Sequence, residues 1–172
     1  RGVRKRRPSA HKRDIELTCT ISSFGPKPFT PFQWFAQVTP AEFARKHQVL
    51  RDRLRESGLR NVRLNVTSPH ISLLESVISR GDRQTGEMTY NAYKAGATFD
   101  AWDDRLKIDV WRQVAQDMGT DLVTLGSQER VVGSNQAFDI VHIGHHQRWL
   151  VRAWEKAVKE VEEKSFCQRA KC

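Results

Sequence analysis

Residues 15–22 read IELTCTIS and residues 61–66 read NVRLNV, and these two segments with the stretch between them decide the fold. The first is a run of β-branched and apolar residues, which predicts a buried strand. The second alternates apolar with polar residues, which predicts a second short strand. Between them, Thr39-Pro40-Ala41-Glu42 has the makings of a helix start. Thr39 can cap, Pro40 suits the first helical position, and Glu42 can complete a capping box. Phe43, His47, Leu50 and Leu54 follow at 4-3-4 spacing and form one apolar face, with Gly58 as the natural stop. Strand, helix, strand in roughly 50 residues is a βαβ unit, expected to be parallel and right-handed. A parallel pair needs both faces covered, and two strands with one helix do not supply that. This reading therefore expects further sheet to belong to the same fold. Cys19, inside the first strand, is expected to be a buried structural thiol.

The segment that follows the first strand, SSFGPKPFTPFQW at residues 22–34, carries three prolines and a glycine. Proline fixes its own backbone and restricts the residue before it, so this segment is an extended loop and not a helix. Phe24, Phe29, Phe32 and Trp34 make it too apolar for a solvated linker, so it is expected to pack against the body of the protein.

Beyond residue 68 the pattern turns helical. Ile71, Leu74, Val77 and Ile78 define a short helix that ends at Arg80-Gly81-Asp82. Residues 84–95 form another, closed by Gly96. Asp104 is expected to cap a helix carrying Leu106, Val110, Trp111, Val114 and Met118, with Gly119 at its end. Residues 120–137 read as polar and irregular, and residues 138–143 (FDIVHI) as a short extended segment. A last helix near residues 146–164 places Trp149, Leu150, Ala153, Trp154, Ala157, Val158 and Val161 on one stripe. The expected fold class is therefore α/β and helix-rich. Its divisions are a basic leader (residues 1–14), a terminal βαβ portion (15–68), a helical region (69–137) and a C-terminal helix with a cysteine tail (138–172).

Charge is unevenly spread. The net charge is +9, and seven of the 29 basic residues fall within residues 1–13. Such a segment buries nothing and is expected to be disordered. It reads as a solvated leader, as an arm for nucleic acid or an acidic partner, or as an organelle transit segment, since it is Arg-rich and poor in acid. No run of 18 apolar residues is present, so no membrane helix is expected. Cytoplasmic location is the first expectation, with a plastid or mitochondrion as the alternative.

Several groupings invite a chemical reading. His142, His145 and His146 lack the glutamate a zinc protease places between its histidines, and are expected to be surface or packing groups. Asp100, Asp103, Asp104 and Asp109 surround Trp102 and read best as caps and a solvated loop. Neither a glycine-rich phosphate loop nor a nucleophile elbow occurs. Three cysteines are too few, and odd in number, for a secreted disulfide framework. Cys167 and Cys172, four residues between them, could supply half of a zinc or iron–sulfur site.

Together the aromatic-proline loop at residues 23–34, Leu74-Glu75 followed by Arg80-Gly81-Asp82-Arg83, and the run AGATFDAW at residues 95–102 carry a resemblance. With Phe138-Asp139, Gly144 and the Cys167/Cys172 spacing in the same order, the chain resembles the C-terminal section of radical S-adenosylmethionine proteins of the B12-binding type. The resemblance implies that residues 15–68 end a partial (β/α) barrel. Residues 24–34 would line its C-terminal rim, so Phe24, Lys27, Thr30 and Phe32 become candidates for facing S-adenosylmethionine or substrate. Cys167 and Cys172 would begin a terminal cysteine cluster.

The Cys-x3-Cys-x2-Cys motif that holds the [4Fe–4S] cluster in that superfamily has no counterpart among Cys19, Cys167 and Cys172. Three thiolates leave one iron free for S-adenosylmethionine, and without them no radical forms. The chain is thus expected to be a fragment, cut at both ends and not catalytic alone, with no cofactor of its own. Its partner would be the N-terminal radical core that carries the cluster, S-adenosylmethionine and, in some members, cobalamin. The alternative is a non-enzymatic basic module that binds RNA or an acidic protein through residues 1–13 and exposed aromatics.

Overall fold

The computed structural model describes residues 16–169, with side chains described as far as residue 163. The basic leader and Cys172 lie outside the described residues, as does the side chain of Cys167. Among the described residues the protein is mixed α/β and helix-rich, with two parallel strands. Strand β1 (Leu17–Ile21) pairs with β2 (Val62–Val66) in register from Leu17↔Val62 to Ile21↔Val66. The crossover between them carries helix α1 (Pro40–Glu56), which Thr39 caps by accepting from the Glu42 N–H at 3.3 Å. The expected reciprocal box does not form, because the Glu42 carboxylate turns to Arg45 at 2.7 Å instead.

Helix α1 covers little of the sheet's surface. Phe43 and His47 are buried, but Leu50 is 41% exposed. Leu17, Thr18, Cys19 and Thr20 are all exposed along β1. Cys19 is accordingly a free, exposed thiol rather than a buried one. The alternating pattern of a strand says which residues share a face, but burial needs a second layer, and none stands over β1 among the described residues.

The core lies elsewhere, among four short helices: α2 (Pro69–Ser79), α3 (Arg83–Lys94), α4 (Ile108–Asp117) and α5 (Leu122–Ser127). Leu73, Val77, Met88, Ala92, Trp111 and Leu122 form its centre. Helix α2 turns its face slightly from the predicted one. It buries Leu73 with Leu74 and Val77, and leaves Ile78 49% exposed. Helix α5 was not expected in the polar stretch 120–137. Asp121 starts it by accepting from the Thr124 N–H at 2.7 Å. Gly126 lets it approach α2, since a Cβ there would lie 2.4 Å from Leu73 Cδ1.

Two further boundaries depart from expectation. Helix α4 begins after Lys107, not after Asp104, and its first turn is held by Asp100. The Asp100 carboxylate accepts from the Lys107 N–H and from Trp111 Nε1, each at 3.1 Å. Asp104 instead faces Arg105 at 3.5 Å. Residues Ala137–Ile140 form a 3-10 turn rather than a strand, so no partner strand exists for them among the described residues. Helix α6 (Gln147–Arg169) closes the fold. Its buried stripe is narrow: Leu150 is buried, while Trp149 and Val161 are 53% and 66% exposed.

Between α2 and α3 the chain turns sharply at Arg80-Gly81-Asp82. Asp82 accepts from the Gln84 and Thr85 N–H groups, and Thr85 Oγ1 accepts from the Asp82 N–H, a reciprocal capping box. Asp82→Ala is expected to lower stability by about 1 kcal/mol, the usual cost of losing a capping side chain. Urea denaturation checks this, and an unchanged midpoint would mean that α3 is held by packing alone.

Candidate functional site

Because β1 and β2 run parallel, the loops leaving their C-terminal ends lie on one side. The Thr67 N–H donates to the Ile21 carbonyl at 3.1 Å, which ties these two exits together. Residues 22–34 leave β1 here, and the start of α2 follows β2 here. Parallel α/β sheets place their ligands at this end.

The four predicted rim residues divide between surface and scaffold. Phe24 is 51% exposed and meets Phe32 edge-on at 6.2 Å. Phe32 passes the contact to Phe35 at 5.3 Å, and Phe35 lies 6.4 Å from Trp154 of α6. Lys27 forms an ion pair with Glu75 of α2, so its charge is already matched across the rim. Thr30 Oγ1 donates to the Lys27 carbonyl at 2.8 Å and closes the turn. Phe29 holds a positive φ of 58° and packs on Phe138 at 5.3 Å, while its N–H donates to Gln33 Oε1 at 2.8 Å. A bulky residue in the left-handed region costs conformational energy, so this aromatic pair and hydrogen bond fix the loop in one shape.

Beneath the rim the loop is polar and buried. Gln33 and Gln37 are fully buried, and each leaves one amide atom unpaired, Gln33 Nε2 and Gln37 Oε1. Gln37 Nε2 donates to the Ser72 carbonyl at 3.1 Å. Trp34 is 1% exposed and joins the loop to a distant segment. Its carbonyl accepts from the Arg130 N–H at 2.8 Å, and its indole N–H donates to the Ser134 carbonyl at 3.3 Å.

That segment borders a cavity the sequence did not reveal. It has a volume of about 730 Å³ and lies among the end of α2, the start of α3 and residues 128–137. Arg80 and Arg130 are among the residues that line it. Arg80 is 1% exposed, donates to the carbonyls of Phe35 at 2.9 Å and Gly126 at 2.7 Å, and reaches Ser76 Oγ at 3.1 Å. Its Nε is buried without a partner among the described residues. Burial, reinforced by the like charge of Arg130, pushes the Arg80 guanidinium down to about 10. Arg130 donates to the Arg80 carbonyl at 2.6 Å and to Gln136 Oε1. Its guanidinium is also pushed down by burial, with Asp82 acting in the opposite direction.

The histidines form no metal site with other ligands among the described residues. His145 stacks on Trp149 at 5.2 Å, and His142 Nδ1 accepts from the Gly144 N–H at 3.3 Å. Among the described residues no helix is long and apolar enough to cross a membrane. No family model, curated protein or solved structure matches the chain.

Proposed function

We propose that this chain is the terminal βαβ portion and helical cap of a radical S-adenosylmethionine iron–sulfur enzyme, and that it is not catalytic alone. The observation that carries this reading is the open sheet. Two parallel strands, one of them exposed along almost its whole length, bury too little apolar surface to be an architecture in themselves. They fit as the last strands of a partial (β/α) barrel, with the free strand edge and uncovered face docking on the radical core. The rim at residues 22–34 then sits at the C-terminal end of that barrel, where Phe24, Lys27, Thr30 and Phe32 face S-adenosylmethionine or substrate. The cluster and S-adenosylmethionine would belong to the core, and cobalamin with them in B12-binding relatives. Cys167 and Cys172 would contribute to a terminal cluster. The location that follows is cytoplasmic.

After iron–sulfur reconstitution and reduction, the chain by itself is expected to release no 5′-deoxyadenosine from S-adenosylmethionine, and robust release would refute the proposal. A second test is the transcript: an in-frame Cys-x3-Cys-x2-Cys upstream supports the reading, and a transcript without one removes it.

The rival reading, a binding module for RNA or an acidic protein, draws on the exposed aromatics Tyr90, Tyr93, Phe99 and Trp102, between 60% and 74% exposed. Phe99 also holds a positive φ of 61°. That reading requires salt-sensitive RNA binding that weakens when residues 1–13 are deleted.

A further inference from the structure

We propose that the cavity between α2, α3 and residues 128–137 binds a small molecule through an anionic head, a phosphate or carboxylate group held by Arg130 next to the buried Arg80. The site is separate from the rim and independent of the barrel reading.

A volume of about 730 Å³ lies within the range of small-molecule sites. Its lining is mixed: the apolar Val77, Met88 and Leu125 stand among amides such as Gln84, Asn135 and Gln136. Polar groups that converge on a concavity fix a ligand's orientation.

The two cations supply the specificity. A guanidinium has five N–H donors. Arg130 makes two side-chain hydrogen bonds and so keeps donors free. Arg80 makes three and leaves Nε unpaired. The charge acting on Arg80 is a like one, from Arg130. Among the described residues neither guanidinium is hydrogen-bonded to a carboxylate, with Asp82 acting on Arg130 only through its charge, and planar forked donors match carboxylate and phosphate oxygens.

Three acidic residues also border the cavity, and their placement is compatible with this. The Asp82 carboxylate is engaged by the first N–H groups of α3. Glu87 and Glu129 are exposed, so solvent and salt screen them far more than they screen the buried arginine.

The test uses the whole chain and inorganic phosphate, titrated at constant ionic strength, with the arginine Nε–H resonances followed by nuclear magnetic resonance. The Arg130 and Arg80 signals are expected to shift together and to saturate. Acetate in a parallel titration distinguishes the head groups: saturation by acetate alone assigns a carboxylate, by phosphate alone a phosphate. Gln128→Glu adds a negative charge at an exposed border position and should weaken binding about fivefold, whereas Glu129→Gln should tighten it. The proposal is overturned if neither anion gives a saturating shift, or if both variants bind like the parent.

Discussion

Trp34→Ala is expected to cost about 4 kcal/mol of folding stability, the range for deleting a fully buried large aromatic. Trp34 is 1% exposed, so the removed ring leaves a void that the proline-pinned backbone around it can collapse into only in part. The indole N–H bond to the Ser134 carbonyl is long, at 3.3 Å, and adds little. Packing therefore dominates, and Trp34→Phe should recover most of the loss. Urea denaturation of both variants separates the two contributions. A loss under about 1 kcal/mol for the alanine variant, far below the range for such deletions, would show that the aromatic loop does not anchor residues 130–136. The cavity should respond as well, because the Trp34 carbonyl holds the Arg130 N–H. Phosphate shifts at Arg130 should weaken in the alanine variant and persist in the phenylalanine one.

What was legible in the sequence follows from how local each signal is. Alternation and a capping threonine suffice for β1, α1 and β2, since strand period and cap geometry are properties of neighbouring residues. The exposure of Cys19 was not legible, because alternation assigns faces and tertiary packing decides which face is covered. Helix α5 escaped because six residues are too few to show helical periodicity, and only Asp121 marks its start. The 3-10 turn at Ala137–Ile140 carries apolar and β-branched residues that mimic a strand, but it has no ladder to join. Arg80 was hidden most completely. In sequence it belongs to a turn, Arg80-Gly81-Asp82, and the turn reading holds. Its partners Phe35 and Gly126, and Arg130 beyond them, lie 45, 46 and 50 residues away. No local pattern announces bonds across such separations.

Arg80→Ala is expected to lose about 3 kcal/mol, from opposing contributions that the choice of substitution can separate. On one side, the alanine leaves the Phe35 carbonyl without the guanidinium donor it has at 2.9 Å, and opens a void at the junction of α2, α5 and the aromatic loop. Gly126 is better protected, because its carbonyl also accepts from Ser76 Oγ at 2.9 Å. On the other side, a desolvated cation is removed. The pull of its guanidinium from its ordinary value down to about 10 corresponds to roughly 3 kcal/mol against the charged form. Arg80→Met fills the space and removes the charge, so it should lose less than the alanine variant.

The sign of the pH effect follows from the same burial. Below about 10 the guanidinium is charged in folded and unfolded chains alike, and the full penalty is present. Above it the folded chain releases the proton while the unfolded chain keeps it, so stability rises with pH in this window. The stability of the wild type relative to Arg80→Met should therefore grow by about 1 kcal/mol between about pH 9 and about pH 11. The comparison cancels lysines and tyrosines that titrate in both proteins. A flat difference would mean that Arg80 is solvated by the cavity. Saturating phosphate should flatten it too, because an anion beside the guanidinium favours its charged form and moves the release of the proton to higher pH.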